Sequence, residues 1–151
     1  MITFAVEPWS SFKVEAAPLW MEHWEEIAIN RDKIKLEVDY ESYDAYERLG
    51  VLHVVVAREA GKIVGYFLCF VRPHLHYASS LSAITDVYFL LRSHRKGRTG
   101  IALFQFAEKS LKARGVEKIF LGTKKHLDMT PLLKRLGYVE TETLLTKFIG
   151  D

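Results

Sequence analysis

The chain has 151 residues, 49% of them hydrophobic and 26% charged, with a formal net charge of +2. That is the make-up of one ordinary globular domain, spanning 1–151, with enough apolar side chains to build a core unaided. The small positive charge is too weak to argue for a nucleic-acid partner, and the single cysteine excludes an intramolecular disulfide.

Cys69 sits inside Tyr66-Phe67-Leu68-Cys69-Phe70-Val71. In such an apolar run a buried structural thiol is the plainer reading than a nucleophile. No Cys/His spacing suits zinc, so no metal is expected. The N-terminus lacks a charged segment followed by an apolar one. No apolar run reaches the roughly 18 residues of a membrane helix. These features predict a cytoplasmic protein in a reducing compartment with no membrane partner.

Ile2 to Val6 is apolar enough for a first strand, broken by Glu7-Pro8-Trp9. Pro18 is placed to open a helix. Beyond it Leu19, Trp20, His23, Trp24, Ile27 and Ala28 recur at three and four residues and mark one helical face. A shorter helix is expected over Tyr40 to Leu49, closed by Gly50. Val51 to Ala57 and Lys62 to Val71 read as a hairpin turning at Glu59-Ala60-Gly61-Lys62. His74 to Ser80 reads as a polar and aromatic connection. Ser82 to Leu91 is the next strand, completing an antiparallel meander.

The following loop is Arg92-Ser93-His94-Arg95-Lys96-Gly97-Arg98-Thr99-Gly100, and a helix runs from Ile101 to Gly115. Helix N-termini expose unpaired N–H groups and partial positive charge, so a basic loop leading into one is suited to an anion. The plainer reading is a solvated strand–helix connection. Val116 to Leu121 completes a strand–helix–strand unit and should lie parallel to the Ser82 strand. Thr130-Pro131 predicts an N-cap and a short helix ending at Gly137. Tyr138 to Ile149 predicts one long or two short strands.

This order of elements, with a basic loop before the central helix, resembles the GNAT family of acetyl-CoA-dependent N-acetyltransferases over nearly the whole chain. The family's pyrophosphate loop reads Arg/Gln-x-x-Gly-x-Gly/Ala, and the chain has Arg95-Lys96-Gly97-Arg98-Thr99-Gly100. Arg95 and Gly100 match, whereas Arg98 replaces the first glycine. Leu132-Leu133-Lys134-Arg135-Leu136-Gly137-Tyr138 is similar to a second family motif, and the length and His76-Tyr77 segment resemble short phage-encoded members. The resemblance implies an α/β fold of the α+β kind: a mixed, mostly antiparallel twisted sheet of about six or seven strands flanked by about four helices.

The resemblance further implies acetyl transfer from acetyl-CoA to a primary amine by direct attack. Amides of Lys96, Gly97, Arg98, Thr99, Gly100 and Ile101 would cradle the diphosphate, with Arg95 or Arg98 adding charge. The exposed edge Val87, Tyr88, Phe89 and Leu90 would pair with the pantetheine arm, an amide near Phe89 or Leu90 would hold the thioester carbonyl, and His126 would contact the cofactor. Asp86 stands where many members carry a strand glutamate, either as base or as a buried, hydrogen-bonded aspartate. His76 and Tyr77 are further candidates for chemistry, and His23 and Glu26 for contact with the acceptor.

The family's usual tyrosine acid is replaced by Leu133, leaving water, Tyr88 or His126 to protonate the thiolate. The acceptor stays open between a small molecule and a protein amine, and a homodimer is compatible with the family. Trp20, Trp24, Tyr43 and Tyr46 among N-terminal glutamates mildly favour a cationic acceptor, but core packing explains them better. The alternatives are an inactive cofactor- or partner-binding module of the same fold and a nucleic-acid binder using the basic loop.

Overall fold

The computed structural model describes residues 1–150. Five strands form one sheet in sequential order: β1 (Ile2–Val6), β2 (Leu52–Glu59), β3 (Lys62–His74), β4 (Tyr77–Leu90) and β5 (Lys118–Phe120). The first four are antiparallel, and β5 lies parallel to β4. Helices α1 (Trp9–Ile27) and α2 (Tyr40–Arg48) follow β1, α3 (Thr99–Ala113) links β4 to β5, and α4 (Thr130–Arg135) comes last.

Alternation along the strands sorts their side chains into two cores. Val55, Phe67, Cys69 and Ala83 meet Leu103, Phe104, Ala107 and Leu111 of α3 and Leu133 of α4. Val54, Val56, Tyr66, Leu68 and Phe89 meet Trp9, Phe12, Ala16 and Trp20 of α1. Cys69 is wholly buried, and burial pushes its thiol up to about 12, as suits a structural role.

Helix α1 begins at Trp9 rather than at Pro18, which lies inside it. The buried stripe Trp9, Phe12, Ala16, Trp20 and His23 runs through the proline. Each large apolar side chain buried in that stripe is worth about 1.5–3 kcal/mol, which together offsets the backbone bond that Pro18 cannot donate. The expected loop over His74–Ser80 is instead a tight turn, because β3 runs to His74 and β4 starts at Tyr77. In α4 Thr130 is already helical, and its N–H is taken by Asp128 at 2.9 Å.

The expected strands over Tyr138–Ile149 do not form, so the sheet has five strands rather than six or seven. Val139, Leu144, Leu145 and Ile149 are exposed. A strand exists only with a partner, and β5, only three residues long, offers little edge for pairing.

Candidate active site

The site is organised by a change of pairing along β4. Its residues Ser82, Ala83 and Ile84 pair with β3 on one edge and with Lys118, Ile119 and Phe120 of β5 on the other. Beyond Ile84 the partnership with β5 ends while that with β3 continues to Leu90. Cys69 pairs with Thr85 and Leu68 with Val87, so Asp86 is the extra residue of a β-bulge. The splay therefore opens beside Asp86.

Backbone alternation decides which groups face the opening. Leu91 donates its N–H to Val64 at 2.8 Å, toward β3. Phe89 therefore turns its N–H the same way, and Leu90 and Tyr88 turn theirs to the open edge. Of the two expected amides, Leu90's is the one that faces the opening. The close β3–β4 approach here needs Gly65: a Cβ on it would lie 2.8 Å from the Phe89 carbonyl oxygen.

After β4 the chain makes a short 3-10 turn, Arg92–His94, and then Gly97 takes a left-handed φ of +79°. Arg98 precedes α3 and no side chain caps the helix. Ala102 is the first residue to donate an intrahelical bond, to Arg98, so the amides of Thr99, Gly100 and Ile101 have no acceptor within the helix. A Cβ on Gly100 would meet only the Leu90 side chain, at 3.9 Å. Nothing inside the protein therefore demands glycine there.

Arg95 does not reach freely into solvent. Its Nε donates to the Leu90 carbonyl at 2.7 Å, and one terminal nitrogen donates to Glu26 Oε2 at 2.6 Å. Arg92 Nε donates to the other Glu26 oxygen at 2.7 Å. Burial works to raise the Glu26 pKa, but the two guanidinium groups win and hold its carboxyl below the usual range. His126 Nε2 lies 2.9 Å from the Glu26 carbonyl. The end of α1, the β4–α3 loop and the segment after β5 thus converge on Glu26.

On the α1–α2 side Asp86 accepts a short hydrogen bond from the Tyr43 hydroxyl. Surrounding protein pushes the Asp86 carboxyl above the ordinary range even though one side of it faces solvent, and the Tyr43 bond partly opposes the rise. Tyr43 is held by stacking on Trp9, with ring centres 4.3 Å apart. The Trp9 indole N–H is fixed in turn by Asp44 at 2.8 Å.

His23 and Glu26 share α1, but only Glu26 reaches the opening. His23 is buried, with Nδ1 2.8 Å from the Tyr66 hydroxyl and its ring stacked on Phe89 at 5.0 Å. Burial lowers its pKa to about 4, so it is neutral. His76 and Tyr77 lie at the β3–β4 turn, the far end of the hairpin. Tyr77 stands nine positions before Asp86 along the strand, roughly 30 Å of extended chain, so the structure does not bring these two to the bulge. Tyr88 donates its hydroxyl to Gly122 at 3.1 Å, spanning from β4 to the segment after β5. Leu133 is core.

The sequence reading missed Tyr43 as a partner of Asp86, and Arg92 as a partner of Glu26. Tyr43 begins its role 43 residues upstream of Asp86, and no local spacing signals such a pair.

Among the described residues no cluster could hold a metal ion, and no helix is long and apolar enough to cross a membrane. No curated protein matches the chain in sequence. Among solved structures it resembles a ribosomal-protein-alanine N-acetyltransferase from Brucella melitensis biovar Abortus 2308, at 16% identity and TM-score 0.77, covering 100% of this chain and 99% of that one. It also resembles the aminoglycoside acetyltransferase HMB0005 from an uncultured soil metagenomic sample (14%, TM-score 0.75, 100% and 99% covered). A third is a predicted acetyltransferase from Clostridium acetobutylicum solved with acetyl-CoA (13%, TM-score 0.71, 98% and 96% covered). At these identities the likeness concerns the fold. The model of the acetyltransferase (GNAT) family matches residues 17–138, and the chain accordingly belongs to that family of acyltransferases.

Proposed function

We propose that the protein moves an acetyl group from acetyl-CoA to a primary amine by direct attack within a ternary complex. The observation that carries this reading is the half-open strand: β4 loses its β5 partner after Ile84 and leads into an uncapped helix. The unpaired edge supplies hydrogen-bonding groups for an extended arm, and the helix start supplies amides for an anion. Gly100, which no internal contact requires, leaves room for close approach of a diphosphate. Arg95 and Arg98 stand beside it with Lys96, Gly97, Thr99 and Ile101, and His126 lies across the opening.

In this reading the amine nitrogen forms a bond to the acetyl carbon as the carbon–sulfur bond breaks. The open-edge amide of Leu90 stabilises the negative charge that develops on the carbonyl oxygen. Asp86, directly or through water, takes the proton the amine loses. A raised carboxyl pKa suits that task. The leaving thiolate takes a proton from water or from the Tyr88 hydroxyl. Much of the acceleration is proximity.

The neighbours named for their acceptors act on an aminoglycoside and on a ribosomal-protein alanine. Both a small amine and a protein amine therefore remain within the fold's range. Calorimetry with acetyl-CoA on the wild type and on Arg95→Glu tests the cofactor site. Affinity should fall by about tenfold to a hundredfold, as expected for losing a charge-assisted contact. Release of thiol in the presence of an amine library tests turnover. Binding without release would favour the inactive module.

A further inference from the structure

We propose that the outer edge of β1 is an interface between two copies of this chain: their β1 strands pair antiparallel about a twofold axis at Phe4 and join two five-stranded sheets into one continuous sheet. The inference stands on the sheet alone and is independent of the acetyltransferase reading.

An outer strand presents a row of unpaired N–H and C=O groups. Native proteins blunt such edges with charge, proline, bulges or very short strands. The two edges of this sheet differ in that respect. β5 has three residues and opens on Lys118. β1 has five, Ile2-Thr3-Phe4-Ala5-Val6, with no charge, no proline and an unbroken register against β2. It is also uncovered: Thr3 and Ala5 are exposed, and Val6 is 49% exposed.

Backbone alternation fixes what this edge offers. Glu7 donates its N–H to the Val54 carbonyl at 3.0 Å, toward β2. Ala5 and Thr3 therefore turn their backbone groups the same way, and Ile2, Phe4 and Val6 turn theirs outward. A second copy uses all of these groups in the register centred on Phe4. Phe4 then exchanges two hydrogen bonds with the partner's Phe4, Ile2 with the partner's Val6, and Val6 with the partner's Ile2. Moving the axis to Thr3 leaves Val6 without a strand partner. Moving it to Ala5 sets Ile2 against Pro8, which has no N–H to give.

The same register sorts the side chains. Ile2, Phe4 and Val6 lie on the α3 face, where Phe4 stacks on Phe106 at 6.0 Å and Ile2 and Phe4 line the rim of that core. Each meets another apolar side chain across the axis, and such cross-strand pairs stabilise neighbouring strands. The apolar run reads alike from both ends, which commits the edge to a second copy rather than to a foreign strand. A contact of this kind is isologous and closes at two copies.

Sedimentation at micromolar concentration should give twice the chain mass. Val6→Lys sets a cation against Ile2 on both sides of the axis and should return the single-chain mass. Leu75→Lys, on the exposed β3–β4 turn, should stay dimeric. Circular dichroism checks that Val6→Lys is folded, and a cross-link decides if it is not. Thr3 faces the partner's Ala5 as a non-hydrogen-bonded pair, with Cα atoms about 4.5 Å apart and within disulfide reach. Thr3→Cys and Ala5→Cys chains, co-expressed and mildly oxidised, should form a covalent dimer that neither variant forms alone. Cys69 is wholly buried and does not compete. A single-chain mass for the wild type, a dimer that survives folded Val6→Lys, no cross-link on co-expression, or a cross-link formed as readily by either variant alone overturns the proposal.

Discussion

The two halves of β4 have the same covalent backbone and opposite tasks. Ser82 to Ile84 are paired on both edges, and Ala83 is wholly buried between β3, β5 and α3. Val87 to Leu90 are paired on one edge only, and the bulge at Asp86 divides the halves. The doubly paired half is bonded to a neighbour on each edge and holds the sheet together. The singly paired half leaves groups unsatisfied at an edge, which is costly unless something binds there. The proposed chemistry therefore uses the half where the fold is incomplete, and the other half keeps it in place.

The largest expected effect separates chemistry from folding. Asp86→Asn should lower kcat/KM about a hundredfold to ten-thousandfold, the range for losing a general base, with acetyl-CoA affinity and thermal midpoint nearly unchanged. A loss of melting temperature with retained activity would place Asp86 among the structural residues instead.

Acid should attack both cores. Burial lowers His23 to about 4, assisted by the Arg95 charge and opposed by Glu26, and burial with the Arg114 charge lowers His53 to about 4. Both are neutral in the fold, whereas the unfolded chain takes up their protons below about 6.5. Their contribution is thus complete above about pH 6.5 and is lost as the pH falls toward 4, on the order of 3 kcal/mol for each. Thermal midpoints measured from pH 8 down to pH 4.5 should be flat at first and then fall. His23 lies on Phe89, in the singly paired half. Amide exchange at Phe89 that accelerates before exchange at Ala83 would sharpen the contrast between the halves.

Gly65→Ala forces a Cβ toward the Phe89 carbonyl and should cost about 1–3 kcal/mol, the usual penalty for overpacking. Acetyl-CoA affinity should fall with it, because the displaced backbone is the open edge. An unchanged affinity would mean that the edge does not hold the cofactor. The smallest effect is expected from Tyr43→Phe. The Tyr43 hydroxyl holds the Asp86 pKa down against burial, so its removal should raise the acid limb of the pH–rate profile. A limb that stays put would show that Asp86 is not the titrating base.

Local pattern made much of this legible. Val54, Val55 and Val56, with the turn at Ala60-Gly61, announce the hairpin because β-branched runs and turn residues act over a few positions. The basic loop and Gly100 announce the start of α3 for the same reason. Pro18 misled because a local breaker was outweighed by a stripe of buried aromatics reaching back to Trp9. His76 and Tyr77 misled because a polar segment beside a strand reads as a loop near the site, whereas the strands continue and carry it to the far end of the hairpin. Tyr138–Ile149 has strand-like composition but pairs with nothing.

What the amino-acid order determined by itself is the succession of elements from β1 to α4, the family and the cationic loop at the head of α3, all properties of residues close together in the chain. What only the tertiary structure decided is which distant groups meet: Tyr43 with Asp86, Glu26 with both Arg92 and Arg95, and the amide of Leu90 rather than Phe89 at the opening. Pairing register and helix docking set those meetings. They depend on how two cores pack across a sheet, and the spacing of residues along the chain carries no record of it.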